Sequence, residues 1–491
     1  MDGLEQSRLT GIFEIPSGEQ IYGELTLAGS DTILCLKHNK SIDCSKTIPC
    51  LFGTLHNQKK VTLLDCITTS THSGSSFLGT YYFANLFPHY VLVGDRQFAR
   101  KEKTITQVDF VINDASTLFY DFEAFGAEIN AYTLMEQIVE AKAESSQQKS
   151  SIGSNPSIFY FTGKHEICSV DTVLGKVFVS HRPNFTYSGP DGITVENTII
   201  ISIIFKEAYN FDETISSTQT LIDYFGMLIG CPQNLLKLNM HVKTEHKHPT
   251  ILEVYWSMLP NHTQLNNELK PHYLDVLIKP IQQPDMFATV LSNWLEKHSD
   301  RHDARSRFFT CFREQTYTID RLIRAANMFD ILPNSAIPAD VTLSEDLRAA
   351  KEQCRQIFKE LPESPERDSV LSALGRVGKS SLKNKIRYRG EFLINRVEEK
   401  FPNLNKVIDL AVDCRNHYVH GSKPKIDYTK NFHIIIFLID TLEFIFAISE
   451  LIEAKWDIKE WIETFTTKSH PFNEYRITYM ENLHNLESLI Q

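Results

Sequence analysis

The chain lacks most of the signatures that assign a chemistry on sight. Its 491 residues hold no Cys-x-x-Cys pair, no His-Glu-x-x-His helix, no Gly-x-Ser-x-Gly elbow and no glycine-rich dinucleotide fingerprint. Those absences argue against a zinc ribbon, a zinc protease, an α/β-hydrolase and a Rossmann enzyme. Nine cysteines, an odd number without regular spacing, do not make a disulfide framework. The start, Met1-Asp2-Gly3-Leu4-Glu5-Gln6, has neither the basic nor the apolar part of a signal peptide, so a cytoplasmic location is expected. The longest apolar run, Phe432 to Ile452, is interrupted by Asp440, Glu443 and Glu450, which suits a core helix and predicts no membrane partner. Positive charge is also short: the formal net charge is −11. Phosphate neutralisation needs clustered Lys and Arg, so any nucleic-acid site must be local or assembled from more than one subunit.

What is present is a globular chain, with 42% apolar and 23% charged residues, long enough for two or three domains. From Gly11 to about Asp114 apolar residues recur with period two, as at Ile21, Leu25 and Leu27 or Val108, Phe110 and Ile112; this is the mark of strands with one buried face. A polar segment, residues 141–157, reads as a surface loop splitting the β-rich region in two. Strands resume with Ile158–Phe161 and Lys176–Val179, and Thr198–Phe205 is apolar enough to be covered on both faces. One helix, about Thr214 to Leu228, precedes a last strand near Ile251 to Trp256.

Pro280 and Pro284 mark a change from period two to period 3.6. A domain boundary is placed there, giving a β-rich region over 1–280 and an all-α region over 285–491. Thr342 and Glu345 form a predicted capping box ahead of a stripe of Leu347, Ala350, Cys354, Ile357 and Leu361. Further helices are expected over Arg305–Phe329, Ser364–Arg387, Leu404–Tyr418 and Phe432–Lys455, packed as an antiparallel bundle. The fold class is therefore α+β and multidomain, a β-rich N-terminal region followed by a helical bundle.

Several local patterns compete as sites. Ala373–Ser380 imitates a phosphate-cradling loop, and Phe437–Asp440 imitates its Mg²⁺-binding strand, but Ser364–Ser372 has a helical pattern where a buried strand is required. Arg376, Lys379, Lys383, Lys385, Arg387 and Arg389 lie together without an acid among them; they are either a solvated helix face or a track for a nucleic-acid backbone. His241, His246 and His248 do not share one strand face, and His298 with His302 offers two metal ligands without a third. No metal and no cofactor is expected.

The densest chemistry is Cys414-Arg415-Asn416-His417-Tyr418-Val419-His420-Gly421. On a continuing helix Asn416 and His420 share a face, and Arg415 can turn toward both. Gly421 suits a left-handed helix stop and Pro424 prevents continuation. The partial negative charge of a helix C-terminus suits a protonated imidazole at His420, and the planar fork of Arg415 can bridge two phosphate oxygens.

An Arg-Asn-x-x-x-His motif late in an all-α bundle, followed by a long apolar helix, resembles the HEPN superfamily. Phe13-Glu14-Ile15-Pro16, Gly23-Glu24-Leu25, Phe52-Gly53-Thr54 and Val61-Thr62-Leu63 resemble the N-terminal domain of ApeA proteins, which are anti-phage defence factors. The resemblance implies a metal-independent endoribonuclease that attacks a phosphate with the adjacent ribose 2′-OH, leaving a 2′,3′-cyclic phosphate and a 5′-OH. It implies that Arg415 binds phosphate, Asn416 orients the groups and His420 moves a proton, with His417 in a supporting role at most. The expected partners are RNA, with a tRNA loop as the target, a second copy of the chain, and a phage-derived trigger at the β-rich region. In-line cleavage removes one proton and delivers another, whereas one motif offers one well-placed histidine; two copies around a twofold axis supply both. The alternative is a non-catalytic HEPN scaffold that binds RNA or a partner.

Overall fold

The computed structural model describes residues 8–42, 46–76, 79–121, 123–146, 151–187, 190, 192–244, 249–258, 270–339 and 342–490. The chain forms two compact units, Met1–Ser292 and Asn293–Gln491. The division falls inside the helix Pro284–Glu296.

In the first unit the alternating N-terminal segments form β1 (Arg8–Glu14), β2 (Gln20–Thr26), β3 (Ile33–His38), β4 (Thr47–Leu55), β5 (Lys60–Ser76) and β6 (Gly79–Gly94). They pair in the order β6-β3-β2-β1-β4-β5, and β5 pairs back onto β6, so the six close into a barrel. Its interior is filled by one member of each alternating pair, including Phe13, Leu25, Leu36, Leu51, Leu63 and Leu86. The Phe13 ring dictates two glycines: a Cβ at Gly23 would stand 2.8 Å from Phe13 Cδ2, and one at Gly53 would stand 2.7 Å from Phe13 Cδ1. Both belong to the short segments that carry the N-terminal resemblance.

Strand β6 also starts the rest of the sheet. After β7 (Ile105–Ile112) come α1 (Ala115–Leu118), β8 (Phe125–Ile129), α2 (Tyr132–Ser146), β9 (Ser157–Phe161), β10 (Glu166–Asp171), β11 (Gly175–Tyr187), β12 (Ile193–Tyr209), α3 (Phe211–Ile229), β13 (Leu235–Val242) and β14 (Thr250–Trp256). The sheet runs outward from β6 through β14, β13, β7, β12 and β11 to β10, while β8 and β9 pair separately. Helix α3 lies against β7 and β12; a capping box of Asn210 and Glu213 starts it, and Gly230 ends it in the left-handed conformation.

Two expectations change here. The polar loop over 141–157 is helical as far as Ser146, because Ala, Glu and Lys favour helix even without an apolar stripe. Strand β12 is covered mainly on one face: Ile199, Ile201, Ile203 and Phe205 are buried, whereas Ile204 is exposed. The one polar residue between them, Ser202, is buried too, and donates to Asp109.

After α4 (Pro284–Glu296), the second unit contains α5 (His298–Arg313), α6 (Ile319–Asp330), α7 (Glu345–Glu360), α8 (Pro365–Arg376), α9 (Leu382–Val397), α10 (Leu404–His420), α11 (Phe432–Glu453), α12 (Ile458–Glu463) and α13 (Pro471–Ser488). Helix α11 is the centre, packed by α5, α6, α9, α10 and α13. No helix among the described residues is long and apolar enough to cross a membrane. The acids that interrupt α11 pair inward instead: Glu443 takes a two-pronged contact from Arg321, and Tyr317 donates to Asp440.

The β-rich and helical halves stand as expected, but helix boundaries differ. Arg305–Phe329 is two helices, separated at Glu314–Thr318 where the Thr318 hydroxyl caps α6. Ser364–Arg387 is also two; Gly378 turns the chain at φ +89° and Ser381 caps α9. Helix α7 is capped by Ser344, not Thr342, and Leu347, Ile357 and Leu361 of its apolar stripe are exposed. The phosphate-loop likeness fails on architecture: Ala373–Ser380 leaves the end of one helix for the start of another, and Phe437–Asp440 is helical.

Candidate functional site

Helix α10 delivers the site by burying one stripe and freeing its last turn. Leu404, Val407, Ile408, Ala411, Val412 and Cys414 are buried, Arg415 and Asn416 are half-buried, and His420 is exposed. The helix stops where Gly421 takes φ +68° and its N–H donates to the His417 carbonyl at 3.0 Å. A side-chain-bearing residue would be strained there.

Arg415, Asn416 and His420 converge. Arg415 Nη1 donates to Asn416 Oδ1 at 3.1 Å and meets His420 Nε2 at 3.0 Å. A guanidinium only donates, so the contact is a hydrogen bond in the tautomer that leaves His420 Nε2 free to accept. That tautomer holds its hydrogen on Nδ1. Arg415 Nη2 donates to Asn327 Oδ1 at 3.0 Å, from α6, and Arg415 Nε is enclosed without an acceptor among the described residues.

Asn327 is the site residue that the sequence reasoning missed. Its signal is weak but present: it is the polar member of the run Ala325-Ala326-Asn327-Met328-Phe329, in which the other four are buried. His417 is drawn elsewhere. Its Nδ1 lies 2.7 Å from the Ser422 carbonyl, which can only accept, and its ring neighbours Tyr418 and Tyr428; it braces the helix end.

The basic segment does not form one surface. Arg389 is fully buried, donating to Ser449 and Glu450 at 2.9 Å each and pairing with Glu453, so burial removes it from any RNA path. Lys383 pairs with Asp413 at 3.2 Å, Lys385 with Asp330 at 3.1 Å, and Arg387 with Asp409. Asp413 is held below the usual carboxylate range by Lys425 and Lys383, against the opposing effect of partial burial. Arg376 and Lys379 are exposed. Elsewhere, His302 Nδ1 faces His298 Nε2 at 3.4 Å and His241 Nε2 binds Asp109 at 2.7 Å, while His246 and His248 lie outside the described residues.

A closed barrel extended into a sheet, followed by a helical bundle that presents Arg, Asn and His at one helix end, defines a HEPN-type, two-part protein. The chain matches ApeA N-terminal domain 1 over residues 8–294 and Apea-like HEPN over residues 323–460. It belongs to the ApeA family, whose HEPN domain makes it a nuclease-type protein of anti-phage defence. No curated protein and no solved structure matches it.

Proposed function

We propose that this chain is a metal-independent endoribonuclease of an abortive-infection system, cleaving RNA, with tRNA as the target, at a site shared by two copies. The observation that carries the proposal is the 3.0 Å contact between Arg415 Nη1 and His420 Nε2. It places a permanent cation beside a nitrogen ready to take a proton, the pair that phosphate transesterification needs. His420 Nε2 accepts the 2′-OH proton as that oxygen bonds to phosphorus. The P–O5′ bond breaks, and O5′ leaves with a proton from the same histidine of a second copy, which enters the step as the imidazolium. Arg415 balances the charge growing on the phosphate oxygens, and Asn416 keeps the guanidinium turned toward the helix end. Tyr418 and Val419, exposed on this turn, offer apolar surface for the second copy. The β-rich region is assigned the sensing of a phage-derived trigger, in a cytoplasmic protein.

A second reading, a non-catalytic RNA- or partner-binding scaffold, draws support from the acids that occupy Lys383, Lys385 and Arg387. Product analysis separates the two. In buffer containing EDTA, wild type should release RNA ending in 2′,3′-cyclic phosphate and 5′-OH. Arg415→Ala should lose about 10²–10³-fold in rate and His420→Ala about 10²–10⁴-fold, both with unchanged circular dichroism. Equal cleavage by all three proteins would overturn the proposal; RNA retention without cleavage would support the scaffold.

A further inference from the structure

The donor inventory of Arg415 limits what it can do while its present partners stay. Among the described residues, Nη1 serves both Asn416 and His420, Nη2 serves Asn327, and Nε is enclosed without an acceptor. Only one N–H of Nη2 remains over. A two-pronged grip on phosphate uses two parallel N–H groups, so a partner must be released before the fork can close. Asn416 is adjacent in sequence on the same helix, and Asn327 is rooted in the packed helix α6, between buried Ala326 and Met328. His420, exposed on the last turn before Gly421, is the partner free to leave.

We propose that Asn327 is a positioning residue: it anchors Arg415 through Nη2, so that Nη1 exchanges His420 for a phosphate oxygen. The inference deepens the ribonuclease reading and rests on it for its purpose. The exchange couples two events. Phosphate takes the Nη1 donor, and the same step uncovers the His420 Nε2 lone pair for the 2′-OH proton. The anchor is neutral. A carboxylate at position 327 would hold the guanidinium equally well but would neutralise the charge that attracts phosphate.

The test pairs imidazole ¹⁵N–¹H correlation spectra with cleavage kinetics, on the full chain as wild type, Asn327→Ala and Asn327→Asp. Without ligand, wild type and Asn327→Asp should show His420 as the neutral tautomer protonated on Nδ1. Inorganic phosphate should change the wild-type His420 signals, and Asn327→Asp should need about tenfold more phosphate for the same change. Asn327→Ala should lose the defined tautomer and lower kcat about tenfold or more, because a misplaced group costs that much; Asn327→Asp should raise KM and lower kcat less than Asn327→Ala does. Wild-type spectra and phosphate response in Asn327→Ala would overturn the assignment, as would a His420 signal indifferent to phosphate in the wild type. If no protein cleaves RNA yet the spectra behave as described, the ribonuclease reading fails and the positioning role stands.

Discussion

Arginines occupy two contrasting environments in the helical unit, and the contrast separates scaffold from site. Arg301, Arg305 and Arg389, from α5 and α9, are buried around Glu450 and Glu453 of α11. Burial alone would raise the Glu450 carboxyl, yet Arg305, Arg389 and Arg301 hold it down at about 2. Arg415 has the opposite setting. Its partners are two amides and an imidazole, all without charge in this geometry, and it reaches the half-buried end of α10. A buried arginine matched by carboxylates has nothing to offer an anion, whereas one held by neutral acceptors keeps its charge for a ligand. The difference lies in the partners, since both sets of arginines sit on helices of the same bundle.

The contrast breaks most severely at Glu450. Glu450→Ala strands three buried guanidiniums with only Glu453 between them, and uncompensated buried charge costs about 3–5 kcal/mol. Urea unfolding of the variant should show that loss, with the midpoint falling; a midpoint within error of wild type would mean the network carries little. Acid should expose the same dependence. The folded carboxyl of Glu450 sits below its ordinary value of 4.5, so its contribution is present above that pH and is lost as pH falls toward about 2.

Asp440 tests the converse, a buried acid with no cation hydrogen-bonded to it among the described residues. Burial first, and then the charge of Glu443, lift its carboxyl to about 7, although the Tyr317 hydroxyl donates to it at 2.8 Å. A folded pKa above the unfolded value of 3.8 means that stability is fully present below 3.8 and is lost as pH rises through 7. Asp440→Asn keeps an acceptor for Tyr317 and removes the charge. It should therefore stabilise the chain by about 1–3 kcal/mol at pH 8 and by progressively less as pH falls to 4. A pH-independent difference in thermal midpoint would show that Asp440 does not titrate in this range.

How far the sequence speaks follows from how local each feature is. The end of α10 was legible because Arg415, Asn416, His420 and Gly421 lie within one helical stretch, where spacing translates into direction. Asn327 was not, because it meets Arg415 only through the packing of α6 against α10, 88 positions away. Arg389 is illegible for the same reason: the acids that claim it, Glu450 and Glu453, stand about five to six turns into another helix. The breaks at Glu314–Thr318 and Val377–Ser381 escaped because apolar periodicity continues across them, and a hydroxyl cap is a weaker signal than a proline. Barrel closure also lacks a local mark. Alternation showed that β1 to β6 have one buried face, but the non-consecutive pairings that the ring needs, β1 with β4 and β3 with β6, are written in no short segment.

The mildest effects are expected at the surface cations, where the same distinction between occupied and unoccupied charge applies. Lys383 and Arg387 already face Asp413 and Asp409, so a passing RNA backbone gains little from them. Arg376 and Lys379 are exposed and make no ion pair among the described residues. Each phosphate contact on single-stranded RNA steepens the dependence of log affinity on log salt by about 0.7. The double variant Arg376→Ala with Lys379→Ala should flatten that slope by about 1.4 and move the thermal midpoint little, because surface changes of this kind stay within about 0.5 kcal/mol. Lys383→Ala with Arg387→Ala should leave the slope close to wild type, since cations already paired with Asp413 and Asp409 neutralise no phosphate. Equal slopes for the two pairs would mean that pairing in the free protein does not decide which cations meet RNA. The path would then have to be sought on the exposed turn beyond Gly421, where Lys423 and Lys425 follow the site directly.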